Sequence, residues 1–340
     1  MAADGNDVEL NFPIALTQGL RSVPLYRGMV LTPGLIKRGV SWRIVGAVNS
    51  AFEFSQDRSS GKKIIPDIYH RTYYSSSGNF LNAPEVITVY DMIHEDFPQY
   101  FRKSIFNEKI KSIQRASQVI CISEYTRNRL IELVDIDPDL VSTIPLGIEH
   151  VASADNRARN NSESPYILYI GSRGGYKNFS VLELAFSELV QMHRDLKLFL
   201  IGGGPITDHE LTRFQKLGID KNVCLTRPNQ YVEELVSNAQ CVVSTSLVEG
   251  FGLVPLEALS QGIPCVISDI EVNREIWGDS LPVFSPDSHL ELTFEIQKLL
   301  ESDEHWREVS QKGSAIARNL TAEKMAKATL HVYDQVLDQD

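Results

Sequence analysis

Two glutamates, Glu249 and Glu257, enclose a short segment that suits the binding of an anion or a sugar. Gly250 and Gly252 stand between them, and glycine lets a main chain turn sharply and approach a ligand closely. Free amide groups at the start of a following helix would face a phosphate or a sugar oxygen. In this interpretation Glu257 accepts hydrogen bonds from ribose hydroxyls, and Glu249 reaches the hydroxyls of a sugar. Each carboxylate alone could instead be a solvated residue or a complement to a helix dipole, so the combination carries the interpretation.

A second glycine-rich segment carries two cations, Arg173 and Lys177, just after Gly171 and Ser172. Arginine offers a planar fork to phosphate oxygens and lysine a compact charge, so the pair suits a diphosphate. Fixed cations stabilise the negative charge that grows on a departing diphosphate, without a metal. A flexible basic turn is the plainer alternative.

The elements around these segments are predicted to be strands and helices of an α/β protein. A strand at 166–170 ends at the two cations, where open α/β sheets bind ligands. The apolar run 239–246 predicts a buried strand before Glu249. Residues 255–261 predict a helix that has Pro255 and Glu257 in its first turn and Gly262 as its stop.

Strand-like and helix-like patterns alternate along the whole chain, which is typical of parallel α/β layers. In the first half, strands are predicted at 7–16, 42–48, 66–69, 86–90, 119–122 and 141–145. Helices are predicted there near 33–38, 102–116 and 124–134. The polar segment 152–164 is typical of a linker between domains, and 321–337 has helical periodicity.

Composition and charge narrow the classes of function. The chain has 340 residues, 43% hydrophobic, and a net charge of −11 that falls almost wholly after residue 150. Such acidity argues against a nucleic-acid partner. One basic stretch is the exception, and it could rest on an anionic membrane surface or a lipid-diphosphate acceptor, or form a solvated helix face. This stretch contains Arg102, Lys103, Lys109, Lys111 and Arg115.

The chain shows no signs of export or of a membrane span. No apolar run approaches the roughly 20 residues that cross a bilayer. The first twenty residues carry Asp4, Asp7 and Glu9 but no lysine or arginine, unlike a secretory signal. The four cysteines have no CxxC partner and are predicted to be buried thiols. A cytoplasmic protein, with or without peripheral contact to the inner membrane face, is therefore expected.

The two site segments belong to a series of blocks that resembles the retaining glycosyltransferases of family four. The blocks are 165–173 with Lys177 and Asn178, 198–205, 249–257 and 266–269, and the resemblance covers residues 84–340. It implies an α/β GT-B fold, with two Rossmann-like domains whose parallel sheets face each other across a cleft.

Domain roles follow from that resemblance. Residues 1–150 are expected to form the acceptor-side domain, 151–164 the linker and 165–317 the nucleotide-sugar-binding domain. Residues 318–340 are expected to form a C-terminal helix that packs back on the first domain. The usual first unit of strand, glycine turn and helix is absent from the sequence as it starts. A misassigned start and a true lack of the unit are both open explanations.

The resemblance also implies the reaction. A hexose would pass from a nucleoside-diphosphate sugar to a glycan or lipid-linked acceptor, with retention, without a metal and without a cofactor. The segment from Tyr90 to His94, with Pro98, looks most like bacterial polysaccharide mannosyltransferases, which favours GDP-mannose and lipopolysaccharide-type products. The implied donor-binding residues are Gly171, Ser172, Arg173, Lys177, Thr226, Arg227, Glu249, Gly250, Phe251, Gly252, Leu253 and Glu257.

Candidates for direct roles in catalysis are Asp91 and His94, together with Arg173, Lys177 and Glu249. Many relatives carry a histidine immediately before this aspartate, where the chain has Tyr90. Asp91 or His94 could contact the transferred sugar or orient the acceptor hydroxyl, and a capping aspartate and a surface histidine are the alternatives. His70 is a weaker acceptor-side candidate.

Two other motifs favour plainer interpretations. The run 202–204 is all glycine but lacks the third glycine of a dinucleotide fingerprint, because Thr207 stands there, so a tight strand-to-helix turn is predicted. Asp137 and Asp139 have the Asp-x-Asp form of manganese-dependent transferases, but the proline between them predicts a turn. A manganese-dependent transferase and a non-catalytic or partner-dependent nucleotide-sugar-binding protein remain the alternative functions.

Overall fold

The computed structural model describes residues 10–15, 26–30, 67–72, 83–101, 106–149, 164–226 and 232–338. The chain divides into two compact units. The first contains Met1–Thr88, Phe106–Val119 and Ala326–Asp340, and the second contains Val89–Ile105 and Ile120–Met325. This division by contacts joins 120–150 to the second unit, whereas the sequence interpretation joined them to the first. The predicted strand 42–48, the predicted helix 33–38 and nearly all of the predicted linker lie outside the described residues.

The described strands of the first half are short, from three to six residues. Strands β1 (Leu10–Ala15) and β2 (Tyr26–Val30) form a parallel pair. A four-stranded sheet has the order β3-β4-β5-β6. Its members are β3 (Tyr69–Arg71), β4 (Glu85–Val89), β5 (Gln118–Cys121) and β6 (Val141–Thr143). These positions confirm the strands predicted at 86–90, 119–122 and 141–145.

Among the described residues of the first half, three α-helices accompany these strands. They are α1 (Ile93–Asp96), α2 (Phe106–Arg115) and α3 (Glu124–Leu133). Helix α2 buries Lys109 with Ile113, so the predicted basic stretch is not a continuous solvated face. Arg102 and Lys103 lie outside the described residues.

The second unit is built on a six-stranded sheet of order β12-β11-β10-β7-β8-β9, and its pairs are parallel. Its strands are β7 (Tyr166–Ile170), β8 (Lys197–Ile201), β9 (Val223–Leu225), β10 (Cys241–Ser244), β11 (Cys265–Ser268) and β12 (Val283–Phe284). The chain adds β8 and β9 on one side of β7, then returns to add β10, β11 and β12 on the other. The strand order therefore reverses between β7 and β10, and open α/β sheets bind ligands at such a point.

The helices that follow β7 each contribute apolar residues to the core beside this sheet. They are α4 (Phe179–Met192), α5 (Asp208–Lys216), α6 (Val232–Ser237), α7 (Leu253–Ser260), α8 (Glu271–Trp277), α9 (His289–Glu301) and α10 (Asp303–Ala317). Helix α4 buries Phe179, Leu182, Phe186 and Leu189 at helical spacing, which joins it to the core. No helix among the described residues has the length and apolar character that crossing a membrane requires.

The C-terminal helix α11 (Ala322–Leu337) confirms the helical periodicity predicted for 321–337. From Ala326 onward it belongs to the first unit. There its Tyr333 hydroxyl lies 2.5 Å from Nδ1 of His70, whose Nε2 lies 2.8 Å from Oγ1 of Thr88. Burial lowers the pKa of His70 to about 4. The structure thus places His70 in a bridge between β4 and α11.

Candidate active site

Two loops meet where the strand order reverses. Loop A, residues 171–178, follows β7, and loop B, residues 245–252, follows β10. The backbone N–H of Leu247 donates to the carbonyl of Tyr176 at 2.8 Å, and the Thr245 hydroxyl donates to the carbonyl of Lys177 at 2.7 Å. These bonds fix the loops side by side, as the sequence interpretation required of the segments that carry Lys177 and Glu249.

Lys177 and Glu249 form an ion pair at this junction. The lysine side chain is 22% exposed and the glutamate 17%, so both remain in reach of solvent. The same carboxylate oxygen, Oε1, accepts a hydrogen bond from the Ser246 hydroxyl at 2.6 Å. Lys177 also lies over the Tyr176 ring, with its ammonium 5.2 Å from the ring centre. The site therefore holds a cation and a carboxylate that are paired but accessible.

Arg173 lies in a different environment from Lys177, although the two share loop A. Its guanidinium binds Glu210 through Nε at 2.7 Å, and its side chain is only 3% exposed. The terminal nitrogens donate to the carbonyls of Gly202, Gly204 and Pro205 at 2.9, 3.2 and 3.0 Å. These partners occupy the guanidinium in this structure. The predicted joint clamp of Arg173 and Lys177 on one diphosphate stays a prediction.

The glycine run 202–204 is the tight strand-to-helix turn that the sequence predicts. All three glycines have positive φ, at 86°, 69° and 75°. A side chain at Gly203 would lie 2.6 Å from Nη1 of Arg173. Helix α5 then begins at a capping box formed by Thr207 and Glu210. The turn therefore aims its carbonyls at the guanidinium.

Gly250 brings loop B against the segment that follows β4. A Cβ at this position would lie 1.9 Å from the carbonyl oxygen of Tyr90, so only glycine fits. The Gly250 carbonyl accepts hydrogen bonds from the hydroxyls of Ser123 at 2.7 Å and Thr126 at 3.3 Å. Sequence reasoning missed Ser123 and Thr126 as supports of loop B, although Ser123 is recognisable as the N-cap of a predicted helix.

Helix α7 begins at Leu253, directly after this turn. Its N-cap, Gly252, has φ 99° and ψ 61° and makes no side-chain cap. Leu253 is exposed, whereas Phe251 is 2% exposed and belongs to the core. The helix ends as predicted, because the amides of Gly262 and Ile263 donate to the carbonyls of Leu259 and Ala258 in a Schellman arrangement. Amides at the start of α7 are thus presented without a competing side-chain cap.

Glu257 lies one turn further along α7 than the sequence predicts. Because the helix begins at Leu253 and not at Pro255, Glu257 falls in its second turn. The residue is exposed, and partial burial raises the pKa of its carboxyl. The placement in the first turn was wrong, while the proposed contact with ribose stays a prediction.

Asp91 and His94 lie on the segment next to Gly250. The Asp91 carboxylate accepts from the N–H of Ile93 at 3.0 Å, and its Cβ lies 3.2 Å from where a Cβ on Gly250 would be. The His94 ring stacks on Phe101, with centroids 3.8 Å apart, and Phe101 lies 6.0 Å from the Tyr176 ring. Asp91 therefore borders loop B, and an aromatic series joins His94 to loop A.

The pKa of the Tyr176 phenol reflects the charges around this junction. Burial raises the pKa of its phenol, Lys177 opposes the rise, and the carboxylates of Glu249 and Asp91 add to it. Lys177 and Glu249 are paired, and Asp91 lies against Gly250, the residue after Glu249. The structure thus places these three of the five predicted catalytic residues around loop B.

The remaining predicted donor residues lie at the ends of strands. Gly171 has φ 143°, and the Ser172 carbonyl accepts from the Tyr169 hydroxyl at 2.6 Å. Thr226 follows β9, where its N–H donates to Leu200 O at 3.0 Å. Arg227 lies outside the described residues.

The described part of the chain contains no group of three or more histidine, cysteine, aspartate or glutamate residues arranged to hold a metal. Asp137 instead caps the 3₁₀ turn Pro138–Leu140, because its side chain accepts from the N–H of Asp139. The predicted turn at Asp-x-Asp is confirmed. No disulfide joins the four cysteines, all of which lie within the described residues. Cys121, Cys241 and Cys265 are buried, as predicted, whereas Cys224 is only partly buried.

Comparison with known families matches two models in succession. Residues 26–151 match "Glycosyltransferase Family 4", and residues 152–315 match "Glycosyl transferases group 1". Among curated proteins, the chain is 27% identical over 257 residues to O-antigen chain mannosyltransferase B of Escherichia coli, which is 70% of this chain and 65% of that protein. It is 25% identical to O-antigen chain mannosyltransferase RfbU of Salmonella typhimurium, over 60% of this chain and 57% of that protein. The chain thus spans under two thirds of the length of these relatives.

Solved structures share the fold at low sequence identity. Anabaena Alr3699/HepE, solved in complex with UDP and glucose, aligns with a TM-score of 0.72 and 15% identity over 93% of this chain and 88% of that one. A glycosyltransferase from Rickettsia africae ESF-5 aligns with a TM-score of 0.65 and 18% identity, over 93% of this chain and 86% of that one. With two successive family models and parallel-sheet α/β units, the chain belongs to the family-four glycosyltransferases and has the GT-B fold.

Proposed function

We propose that this protein is a retaining, metal-independent hexosyltransferase, which moves a sugar from a nucleoside-diphosphate donor to a glycan or lipid-linked acceptor. One observation carries the proposal: Lys177 and Glu249 meet beside a glycine turn that opens a helix without a side-chain cap. A diphosphate needs a cation and free amides, and a sugar needs a hydrogen-bond acceptor. These groups lie together at the point of strand reversal in a chain of this family.

The residues divide the work by charge. Lys177 holds the diphosphate and stabilises the charge that develops as the sugar–phosphate bond breaks. The amides at the start of α7, from Leu253, bind phosphate or sugar oxygens, and Glu249 accepts hydrogen bonds from the sugar. The departing phosphate takes the acceptor proton on the same face, so the reaction needs no strong base. Asp91 lies close enough to loop B to orient the sugar or the acceptor.

Arg173 has a supporting role in this proposal. Its guanidinium is bound to Glu210 and to three carbonyls, so it shapes loop A and the turn beside it. Lys177 is then the diphosphate ligand among the two cations. Glu257 remains our proposed ribose ligand, from an exposed position in the second turn of α7.

GDP-mannose is the donor that we propose, and an O-antigen or related polysaccharide is the proposed product. The names of the two bacterial relatives support this choice, since both are O-antigen chain mannosyltransferases. The acceptor would lie at the cytoplasmic face of a membrane. Contact with that membrane through Arg102, Lys103, Lys111 and Arg115 is part of the proposal, whereas the buried Lys109 is not.

The test is a transfer assay on the full chain with GDP-mannose and UDP-glucose, with and without EDTA. We expect release of GDP that requires acceptor and survives EDTA, and an α-linked product by NMR. Lys177→Ala should lower turnover by on the order of 10²-fold, because the leaving diphosphate loses its cation. Lys312→Ala, which breaks an exposed pair with Glu308, is the matched control and should retain activity.

Three results would contradict the proposal. Near-normal turnover by Lys177→Ala would remove the diphosphate anchor. Activity abolished by EDTA would favour the manganese-dependent alternative. Donor binding by calorimetry without any transfer or donor hydrolysis would favour a non-catalytic or partner-dependent nucleotide-sugar-binding protein.

A further inference from the structure

The cation proposed to hold the diphosphate and the carboxylate proposed to hold the sugar are bound to each other. Lys177 and Glu249 form one ion pair, and both are mostly but not fully buried. The ammonium has three N–H donors, but the carboxylate takes one of them and offsets part of the positive charge. A diphosphate therefore competes with Glu249 for this cation.

Residues of loop B hold both members of the pair. Ser246 donates to the same Glu249 oxygen at 2.6 Å, and Ser246 is itself buried, at 3% exposed. The Ser246 carbonyl accepts a hydrogen bond from the Ser268 hydroxyl at 2.5 Å, which ties Ser246 to the end of β11. From the same loop, the Thr245 hydroxyl donates to the carbonyl of Lys177 in loop A at 2.7 Å. The carboxylate is thus positioned at the ammonium and returns there whenever nothing else binds either group.

The charge and the hydroxyl groups of a ligand determine how well it competes with Glu249 for Lys177. A nucleoside diphosphate that takes Lys177 leaves the Glu249 carboxylate without its cation and close to two negatively charged phosphates, which is a repulsive arrangement. An intact nucleotide sugar also supplies hydroxyl donors, so Glu249 trades its ion pair for hydrogen bonds. The same carboxylate therefore disfavours the bare diphosphate and accepts the sugar-bearing donor.

We propose that Glu249 is an internal competitor for Lys177, which makes the site select intact nucleotide sugar over nucleoside diphosphate. After transfer the sugar leaves Glu249, the carboxylate recaptures Lys177, and the diphosphate product is displaced. Ser246 is the positioning residue that holds the carboxylate ready. This inference rests on the proposed function, since it assigns the diphosphate to Lys177 and the sugar to Glu249.

The experiment is isothermal calorimetry without acceptor, on the full chain, with GDP, UDP, GDP-mannose and UDP-glucose as probes. Wild type should bind the sugar-bearing donor more tightly than the matching diphosphate. Glu249→Gln removes the charge at nearly constant shape, so it should bind the diphosphate about tenfold more tightly. Its affinity for the intact donor should not rise, and the preference of the site should shrink or disappear.

Controls separate this effect from general electrostatics. Glu308→Gln removes one negative charge from an exposed Lys–Glu pair on α10 and should bind all probes like wild type. Glu249→Ala serves as a second variant if Glu249→Gln does not fold, and it should change diphosphate affinity in the same direction. In acceptor-containing assays, GDP should inhibit Glu249→Gln at about tenfold lower concentration than wild type, whatever its residual turnover.

The outcomes distinguish the inference from the function beneath it. If Lys177→Ala loses diphosphate binding but Glu249→Gln and Glu249→Ala bind the diphosphate no better than wild type, the competitor role is overturned and the proposed function stands. If wild type binds none of the probes, or Lys177→Ala binds them unchanged, the proposed function fails and the inference fails with it.

Discussion

The two cations of loop A, Arg173 and Lys177, lie in different environments. Arg173 points into the protein, where Glu210 and three backbone carbonyls satisfy its guanidinium and its side chain is 3% exposed. Lys177 is 22% exposed and has one carboxylate partner, which is itself a candidate ligand for substrate. A short distance in sequence thus separates a cation that supports the fold from one that remains available for an anion.

The difference arises from the neighbours that each cation meets. Arginine has five donors in a rigid fork, and the glycine turn 202–204 presents carbonyls to several of them. Lysine carries a compact charge on a flexible stem, and it lies beside loop B at the point of strand reversal. A pair of cations in a glycine-rich loop therefore does not by itself define a shared diphosphate clamp. Whether a cation can bind a diphosphate depends on how many of its N–H donors the protein already engages.

The largest effect that would test this contrast is on stability. Arg173→Ala should lower the free energy of unfolding of the second unit by about 3 kcal/mol or more, because it leaves Glu210 and several carbonyls without their donor. Lys177→Ala should cost under about 1 kcal/mol, since its pair is partly solvated. Urea denaturation of both variants should be followed by tryptophan fluorescence in a Trp42→Phe background. The remaining indoles, Trp277 and Trp306, then both report on the second unit.

The reverse order of these two values would contradict the assignment of Arg173 to the fold. Equal m-values are the control that both variants unfold over the same surface. A stable Arg173→Ala variant that no longer binds nucleoside diphosphate would instead restore the two-cation clamp predicted from the sequence.

A somewhat smaller effect should appear as a dependence on pH. Burial alone would raise the pKa of Glu210, but hydrogen bonds from Arg173 and Thr207 outweigh it and lower that pKa from 4.5 to about 2. A carboxyl whose folded pKa lies below its unfolded pKa contributes stability that is complete above about pH 4.5 and is lost as the pH falls toward 2. The stability gap between wild type and Glu210→Gln should therefore narrow by about 2 kcal/mol between pH 5 and pH 3.

Parallel urea titrations of the two proteins at pH 5, 4 and 3 measure this gap. The comparison cancels the other carboxyl groups, which titrate in both proteins. A stability gap that stays constant with pH would mean that Arg173 does not hold Glu210 ionised. The contrast between Arg173, bound inside the protein, and the more exposed Lys177 would then no longer hold.

Much of this arrangement could be predicted from the sequence. Strand β7 has the predicted bounds, and Gly262 ends α7 as predicted. Patterns of apolar residues and glycines determine such elements locally. Once the strands alternate with helices, their carboxyl ends share one edge of the sheet, which is why loops A and B meet.

The rest depends on contacts that no local pattern records. The environment of Arg173 is set by carbonyls and by Glu210 from a later strand–helix connection. The support of Gly250 comes from hydroxyls on Ser123 and Thr126, far away in sequence. Glu257 was misplaced for a local reason, because Pro255 occupies the third helical position and not the first. Prolines favour the first turn without specifying the residue at which it begins.

The smallest predicted effect isolates the contact between the glycine turn and Arg173. Gly203 and Gly204 have similar φ, 69° and 75°, so alanine at either site costs about 1 kcal/mol of backbone strain. A Cβ at Gly203 would also lie 2.6 Å from Nη1 of Arg173, whereas a Cβ at Gly204 meets nothing within 4 Å. Gly203→Ala should therefore be the more destabilising by about a further 1 kcal/mol, because the guanidinium must move and weaken its bonds.

Arg173→Ala provides the decisive background for this comparison. Without the guanidinium, the obstacle at Gly203 is gone, and Gly203→Ala and Gly204→Ala should cost the same within about 0.5 kcal/mol in a double-mutant cycle. Urea denaturation at pH 7 measures all five variants against wild type. If the two alanines differ as much without Arg173 as with it, the turn is not built around that side chain. The burial of Arg173 would then be incidental to the glycine run.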